Sequence, residues 1–136
     1  MNLVDYDPWK GDYSRVKVHH NRFWANGRYF KVGIVTGPSS WSDDTDTVVR
    51  GATVTDNTFS GAHFGYAIVV SSSEGFTVQR NKVADDAVFS GVPGPSCPSA
   101  PENSPPTPFL INRGSARGSY QSDFVNGEVQ HSEKDG

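Results

Sequence analysis

The most constraining feature of this sequence is a short pattern that recurs along the chain without internal gaps. The pattern reads apolar, any residue, Val, any two residues, Asn, any residue, apolar. Its alternating apolar positions predict a strand with one buried face, and the Asn predicts a corner after that strand. Recurrence of one pattern indicates a repeat architecture, in which equivalent strands of successive units stack on one another. The copies are Val16–Phe23, Ala52–Phe59 and Phe76–Val83.

A second apolar stretch follows each copy, so the predicted unit is strand, Asn corner, strand and loop. We identify this stretch at Gly33–Thr36, Ala67–Val70 and Phe109–Asn112, and we interpret Met1–Val4 as the same element of a preceding unit. The spacing between successive Asn residues is unequal because loops of different length can bulge from a constant frame. The predicted irregular loops are residues 37–48, rich in Ser and Asp, and residues 90–108, rich in Pro.

One amide residue occupies the corner of each copy, at Asn21, Asn57 and Asn81. Asn tolerates the left-handed backbone conformation that a sharp bend requires. When stacked at one position, its amide can also donate to and accept from the amides above and below. We therefore predict a structural ladder of these residues. The alternative is an exposed Asn in an ordinary turn.

The amino-acid composition favours strands over helices. Val, Ile, Phe and Tyr supply most of the apolar residues, whereas Leu occurs only at Leu3 and Leu110. No apolar spacing near 3.6 residues is present, so amphipathic helices are not predicted. We predict one all-β domain over residues 1–136, with a flexible tail at 128–136. It is a parallel solenoid of about three to four units whose N-terminal end is uncapped.

The alternative fold is an antiparallel sandwich of short strands. Hairpins are its signature, and Asn-Gly pairs are the strongest local hairpin signal. The chain has such pairs only at Asn26-Gly27 and Asn126-Gly127, and neither lies between two alternating runs. The sequence therefore favours the parallel solenoid.

Charge and hydropathy argue against several classes of protein. The net charge of −3 is spread along the chain without a basic stripe, so a nucleic-acid partner is not predicted. No apolar run approaches the roughly 20 residues of a membrane helix, so no membrane partner is predicted. Met1–Asp7 has neither a basic region nor an apolar stretch, so no secretory signal is visible. Cys97 is the single cysteine, which excludes an intramolecular disulfide, and we interpret it as an inert surface thiol.

The region from Val16 to Asn112 resembles the C-terminal units of the pectin-lyase-like superfamily. The resemblance rests on the recurring strand, Asn corner and strand, a motif that specifies architecture better than chemistry. It implies a right-handed parallel β-helix that is carbohydrate-associated, as a non-catalytic or truncated piece of a longer protein. It also implies an extracellular protein whose signal peptide has been removed. The alternatives are a structural or interaction domain without glycan binding, and a polysaccharide lyase or glycoside hydrolase.

Paired carboxylates are the candidates for catalysis, because glycoside hydrolases need two of them flanking the scissile bond. Asp85 and Asp86 follow the third copy of the pattern, and His20 is a candidate general base. Adjacent residues of a strand point to opposite faces, so an Asp-Asp pair is not by itself a catalytic pair. The polygalacturonases of the family also carry Asn-x-Asp and Gly-His-Gly motifs, which this chain lacks. We therefore assign no enzymatic activity to this chain alone.

No cofactor and no metal site are predicted. The acidic run Asp43–Asp46 could bind calcium through alternate oxygens, but it lacks the Gly and the distal Glu of a calcium loop. We predict that His19 and His20 point to opposite faces of a strand and therefore do not chelate one ion. His63 and His131 add no third ligand at a recognisable spacing.

Aromatic and cationic side chains indicate a polysaccharide partner. Trp9, Trp24 and Trp41 fall at predicted loop or corner positions, where exposed rings could stack on sugar faces or could pack under long loops. Three arginines could bind carboxylate or sulfate groups of a glycan or could be loop residues without a ligand: Arg80, Arg113 and Arg117. The open strand ladder at an end of the stack also predicts self-association.

Overall fold

The computed structural model describes residues 1–3, 11–26, 30–37, 48–91 and 106–127. These residues form strands and turns and contain no helix, so this part of the chain is all-β. Among them, therefore, no helix is long and apolar enough to cross a membrane.

The described strands belong to three sheets, which we number 1 to 3. Sheet 1 contains β1 (Asn2–Leu3), β4 (Phe30–Thr36), β8 (Phe64–Val70), β11 (Phe109–Ile111) and β13 (Val125–Asn126). Sheet 2 contains β2 (Lys17–His19), β5 (Val49–Arg50), β6 (Thr53–Thr55), β9 (Ser73–Gln79) and β12 (Ala116–Tyr120). Sheet 3 contains β3 (Arg22–Trp24), β7 (Thr58–Ser60) and β10 (Lys82–Val83).

Every strand pair in the described part of the chain is parallel. Parallel neighbours cannot be joined by a tight hairpin, so the chain must cross over before it returns to a sheet. Here it passes through sheets 2, 3 and 1 in a repeated order: β2, β3 and β4, then β6, β7 and β8, then β9, β10 and β11. The predicted all-β class with parallel strands is confirmed, and the antiparallel sandwich is wrong.

The register of sheets 2 and 3 follows the sequence pattern. Val18 pairs with Val54, and Val54 pairs with Val78. In sheet 3, Phe59 lies between Phe23 and Val83. The rings of Phe23 and Phe59 stack with their centroids 4.9 Å apart. The apolar positions of the pattern therefore align in columns that run from unit to unit.

In sheet 1 the strands do not all pair as they would if the predicted stretches were aligned from their first residues. Ile34 pairs with Ile68, but Phe109 also pairs with Ile68, which shifts the third stretch by one residue. Because side chains alternate along a strand, a one-residue shift exchanges the two faces. The shift places Phe109 and Ile111 in the main core, where each is 1% exposed. Strand β1 is shifted in the same sense.

The main apolar core combines inward-facing residues from all three sheets. Sheet 1 is buried on both faces, because its other side forms a second apolar cluster of Tyr66, Val69 and Leu110. Burial on both faces is typical of parallel sheets and accounts for the continuous apolar run of β8. Sheet 1 therefore offers little exposed surface, and the accessible side chains lie mainly on sheets 2 and 3.

The C-terminal turn covers one end of the main core. The Phe124 ring packs against Phe109 and Tyr120, at centroid distances of 5.4 and 5.9 Å. Strand β12 is followed by β13, which pairs with β11, so the last unit adds no described strand to sheet 3. For this reason Val83, at the edge of sheet 3, is 40% exposed.

The bend at each corner is made by the residue before the Asn. His20, Asp56 and Arg80 have φ values of 56°, 59° and 58°, whereas the three corner Asn residues have no positive φ. The prediction that the Asn itself adopts the left-handed conformation is therefore wrong. Its neighbour turns the chain, and this leaves the Asn side chain directed along the stack, where it can bond to the next unit.

Candidate functional site

The corner amides form a continuous column of hydrogen bonds. The backbone N–H and the Nδ2 of Asn21 donate to Oδ1 of Asn57, at 3.0 and 3.1 Å. Asn57 donates in the same way to Oδ1 of Asn81, at 3.1 and 2.9 Å. Asn57 also donates to the Val18 carbonyl and Asn81 to the Val54 carbonyl, each at 3.0 Å. The structure thus brings the three predicted ladder residues together, and the two buried amides have the partners that burial requires.

A fourth amide, Gln121, continues the column and was missed by the sequence pattern. Its Oε1 accepts from the backbone N–H and the Nδ2 of Asn81, both at 3.0 Å. Its Nε2 donates to the Asn81 carbonyl and to Oδ1 of Asp123, both at 2.9 Å. Gln121 directly follows Tyr120, which pairs with Val78, so the spacing of the pattern fails here. A search for any amide just after the last sheet 2 strand would have found it.

The residues before the corner amides form a second column, in which His20 and Arg80 are exposed and Asp56 is half-buried. The Arg80 guanidinium donates to both carboxylate oxygens of Asp56, at 3.0 and 3.1 Å. This bidentate bond lowers the pKa of Asp56 and raises the pKa of Arg80, and the charge of His20 also lowers the pKa of Asp56. Arg80 is therefore engaged within the molecule, which weakens its candidacy as a ligand for an anionic sugar.

Another column of alternating charge runs along the beginning of the sheet 2 strands. In the backbone register of these parallel strands, Asp12 lies opposite Arg50, Arg50 opposite Glu74, and Glu74 opposite Arg117. All of these residues are exposed. Hydrogen bonds from the Ser14 side chain and backbone lower the pKa of Asp12, and the charge of Arg50 lowers it further. Arg117, the second predicted anion ligand, therefore sits beside an acid of its own molecule.

The third predicted arginine, Arg113, holds the C-terminal turn. Its guanidinium donates to the Phe124 carbonyl at 3.2 Å, and its backbone N–H donates to Oδ1 of Asn126 at 2.9 Å. These bonds fix the segment that carries Phe124 onto the core. A structural role therefore accounts for Arg113.

The outer face of sheet 3 differs from the alternating columns because its cations face no acid. Phe23 and Phe59 contribute to the core, so the residues beside them on β3 and β7 point outward. Arg22 pairs with Thr58 and Thr58 pairs with Lys82, which places two cations on either side of a threonine. Neither cation forms an ion pair with a residue that the structure describes.

Trp24 lies on this same outer face, beside Ser60 of the neighbouring strand. Its side chain is 63% exposed, more than any other large apolar residue in the described part of the chain. The prediction of a loop or corner position is wrong, since Trp24 belongs to β3. Phe23 must face the core, and this forces the next residue outward. A ring held on a strand is a preorganised surface for stacking.

Several predicted residues lie outside the part of the chain that the structure describes. They are Trp9, Trp41, Asp43–Asp46, Cys97 and His131.

The two adjacent histidines lie together at the corner after β2. Both are exposed, and their Nδ1 atoms are 2.9 Å apart. The prediction that they point to opposite faces is wrong, because the left-handed conformation of His20 interrupts the alternation of the strand. The described residues contain no group of three side chains that could hold a metal ion, and His63 is exposed without joining the pair.

Asp85 and Asp86 lie in an exposed turn after β10. The turn is closed by a hydrogen bond from the Ala87 backbone N–H to the Ala84 carbonyl at 3.0 Å. Neither carboxylate forms an ion pair or side-chain hydrogen bond with a described residue. His20 lies at the corner between sheets 2 and 3 of another unit, so these three predicted catalytic residues do not form one site.

No family model, no curated protein and no solved structure matches this chain. In its columns of opposite charge each cation lies beside an acid of the same molecule, and Arg80 forms an ion pair with Asp56. The outer face of sheet 3 instead combines an exposed indole ring with two cations that have no acidic partner in the described residues.

Proposed function

We propose that this chain is a carbohydrate-binding module built as a right-handed parallel β-helix of the pectin-lyase-like kind. The repeated order of sheets 2, 3 and 1 supports this architecture, with each passage through the three sheets forming one coil. The amide column supports it as well, because it joins equivalent corners of successive coils. In this proposal the corner amides keep the coils in register.

The outer face of sheet 3 is the proposed binding surface, and the exposure of Trp24 is the observation that carries the proposal. An indole ring offers a flat apolar surface on which the face of a sugar can stack. The hydroxyls of Thr58 and Ser60 are available to sugar hydroxyls. Arg22 and Lys82 are suited to carboxylate or sulfate groups. Because neighbouring strands are about 4.8 Å apart, these cations lie roughly 10 Å apart, with Thr58 between them.

Binding to a panel of neutral and acidic polysaccharides tests this function, by affinity gel electrophoresis and then by calorimetry. We expect Trp24→Ala to weaken binding at least tenfold, about 1.4 kcal/mol, and Trp24→Phe to retain part of the affinity. Val125→Ala is the matched control, because Val125 is also exposed, at 36%, but belongs to sheet 1. Unchanged affinity in Trp24→Ala, or no polysaccharide binding by the unaltered protein, would reject the proposal.

A second candidate is a structural or interaction domain that does not bind glycans. The observation that favours it is the exposed Asn21 at the N-terminal end of the amide column, where hydrogen-bonding groups are not used by described residues. A glycan array without any signal would favour this candidate over the first.

A further inference from the structure

The two ends of the amide column differ in their hydrogen bonding. At the C-terminal end, Gln121 accepts two hydrogen bonds from Asn81. Its Nε2 donates to the Asn81 carbonyl and to Asp123. Both amide hydrogens and the amide oxygen are therefore used, and Phe124 covers the adjoining core. This end of the column is closed.

The N-terminal end of the column is open among the described residues. Asn21 donates to Asn57, but no described residue donates to its Oδ1. Only one of its two Nδ2 hydrogens has a described acceptor. In the next unit the same groups are filled, because Asn57 Oδ1 accepts twice from Asn21 and its second Nδ2 hydrogen bonds the Val18 carbonyl. Strands β1, β2 and β3 are each paired with one neighbouring strand only.

From this asymmetry we infer that the N-terminal end of the stack docks one further parallel unit that carries an Asn at the same corner. The backbone N–H and Nδ2 of that Asn would donate to Asn21 Oδ1. The strand carbonyl three residues before it would accept the remaining Nδ2 hydrogen of Asn21. The same bonds join Asn21 to Asn57. They also join Asn57 to Asn81. The inference rests on the coil architecture proposed above and not on glycan binding.

A second copy of this chain is a poor occupant for this surface. Its C-terminal end presents Gln121, whose amide hydrogens are already bonded. Two N-terminal ends brought face to face would be related by a two-fold axis, so their edge strands would not be parallel. Only a parallel alignment brings both the backbone N–H and the Nδ2 of one Asn to Oδ1 of the next. The fitting partner is therefore a parallel strand, Asn corner and strand of the kind found in this chain.

The test is to fuse a second copy of residues 52–67 directly before Met1. Asn2 pairs with Val35, which pairs with Val69, so this segment continues into β1 in register. We expect the added unit to raise Tm by at least about 4 °C. The matched control carries Ala in place of the Asn of the added segment, and we expect it to lose most of that rise.

Hydrogen exchange of side-chain amides, measured by NMR, gives a second measurement that does not depend on Tm. In the unextended protein the Asn57 amide should be protected and the Asn21 amide should exchange quickly. In the extended protein the Asn21 amide should become protected. No gain in Tm, or the same gain from the Ala control, would overturn the inference. Rapid exchange at Asn57 in the unextended protein would instead reject the proposed coil architecture, so the two failures are distinguishable.

Discussion

The amide column and the outer face of sheet 3 are formed by neighbouring residues of one repeat, yet they have opposite properties. Asn57 is buried and its amide is fully bonded, whereas Thr58 lies on an accessible face between two cations. Adjacent residues of one strand and corner thus have different roles: Asn57 links neighbouring units, and Thr58 belongs to the accessible face. Substitutions in the column should affect stability, and substitutions on the face should affect binding.

The largest expected effect is that of Asn57→Ala. The substitution removes the acceptor of two hydrogen bonds and leaves the Val18 carbonyl without its partner in a buried position. We expect the free energy of unfolding to fall by about 3 kcal/mol, measured by urea denaturation. Thr58→Ala is the control on the outer face and should change it by no more than about 0.5 kcal/mol. Similar losses in both variants would contradict the assignment of stability to the column alone.

Gln121→Ala should have the next largest effect, because it opens the closed end of the column. Asn81 would lose the oxygen that accepts its backbone N–H and Nδ2. Gln121 is only half-buried, so water can replace part of what is lost. We expect a decrease of about 2 kcal/mol in the free energy of unfolding by urea. Ser122→Ala, at the exposed next residue, should be neutral. A neutral Gln121→Ala would show that this residue does not belong to the column functionally.

The double substitution Arg22→Gln with Lys82→Gln tests the other side of the comparison. We expect affinity for an acidic polysaccharide to fall about tenfold, or 1.4 kcal/mol, at low salt, because both cations of the face are removed. The free energy of unfolding should stay within about 0.5 kcal/mol. Arg117→Gln is the control, since Arg117 lies beside Glu74 in an alternating column. If the control loses as much affinity, the effect reflects total charge and not this face.

Thr36→Val should stabilise the protein. The Thr36 hydroxyl is buried and has no hydrogen-bond partner among the described residues, in contrast to the satisfied amides of the column. Replacing it with a methyl group of similar shape should raise the free energy of unfolding by about 1 kcal/mol, measured by urea denaturation. Ser71→Ala is the opposite control, because the Ser71 hydroxyl donates to the Thr36 carbonyl at 3.3 Å. A destabilised Thr36→Val would mean that the hydroxyl has a partner in solution.

The smallest effect concerns the exposed pair of Asp56 and Arg80. Their hydrogen bonds lower the pKa of Asp56 in the folded protein. The pair therefore contributes stability above the unfolded pKa of an Asp, about pH 4, and this contribution is lost as the pH falls through the lower folded pKa. Asp56→Asn should reduce the drop in Tm between pH 7 and pH 2, while Asp85→Asn should not. Identical drops in all three proteins would contradict this assignment.

The sequence was most informative where a residue meets an equivalent residue in the next unit. Val18, Val54 and Val78 align in the structure as they do in the pattern, because identical inward-facing positions stack in parallel sheets. It was least informative after the Pro-rich segment. There the strand partner of Phe109 could not be predicted, because the neighbouring residues do not determine which face of β11 packs against the core.

The sequence indicated which kinds of residue belong to the candidate site better than it indicated where they lie. The exposed Trp24 was picked out as a stacking residue, but its position on a strand depends on Phe23 facing the core. The pattern does not include Gln121, because it follows Tyr120 directly, whereas Asn81 follows Val78, the partner of Tyr120, by three residues. The longer Gln side chain still reaches Asn81. Whether a cation has an acidic neighbour depends on which residues lie opposite each other on neighbouring strands. Arg117 lies opposite Glu74, whereas Arg22 and Lys82 lie opposite Thr58.

The all-β class, the recurring pattern and the amides at its corners follow from the sequence alone, because they depend on alternation and recurrence within short stretches of chain. Other features required the tertiary structure: the residue before each Asn makes the bend, Gln121 closes the column, and Arg22 and Lys82 share one face with Thr58 between them. These features are contacts between units whose separation in the chain varies with loop length. Only the stacking of strands brings such residues together.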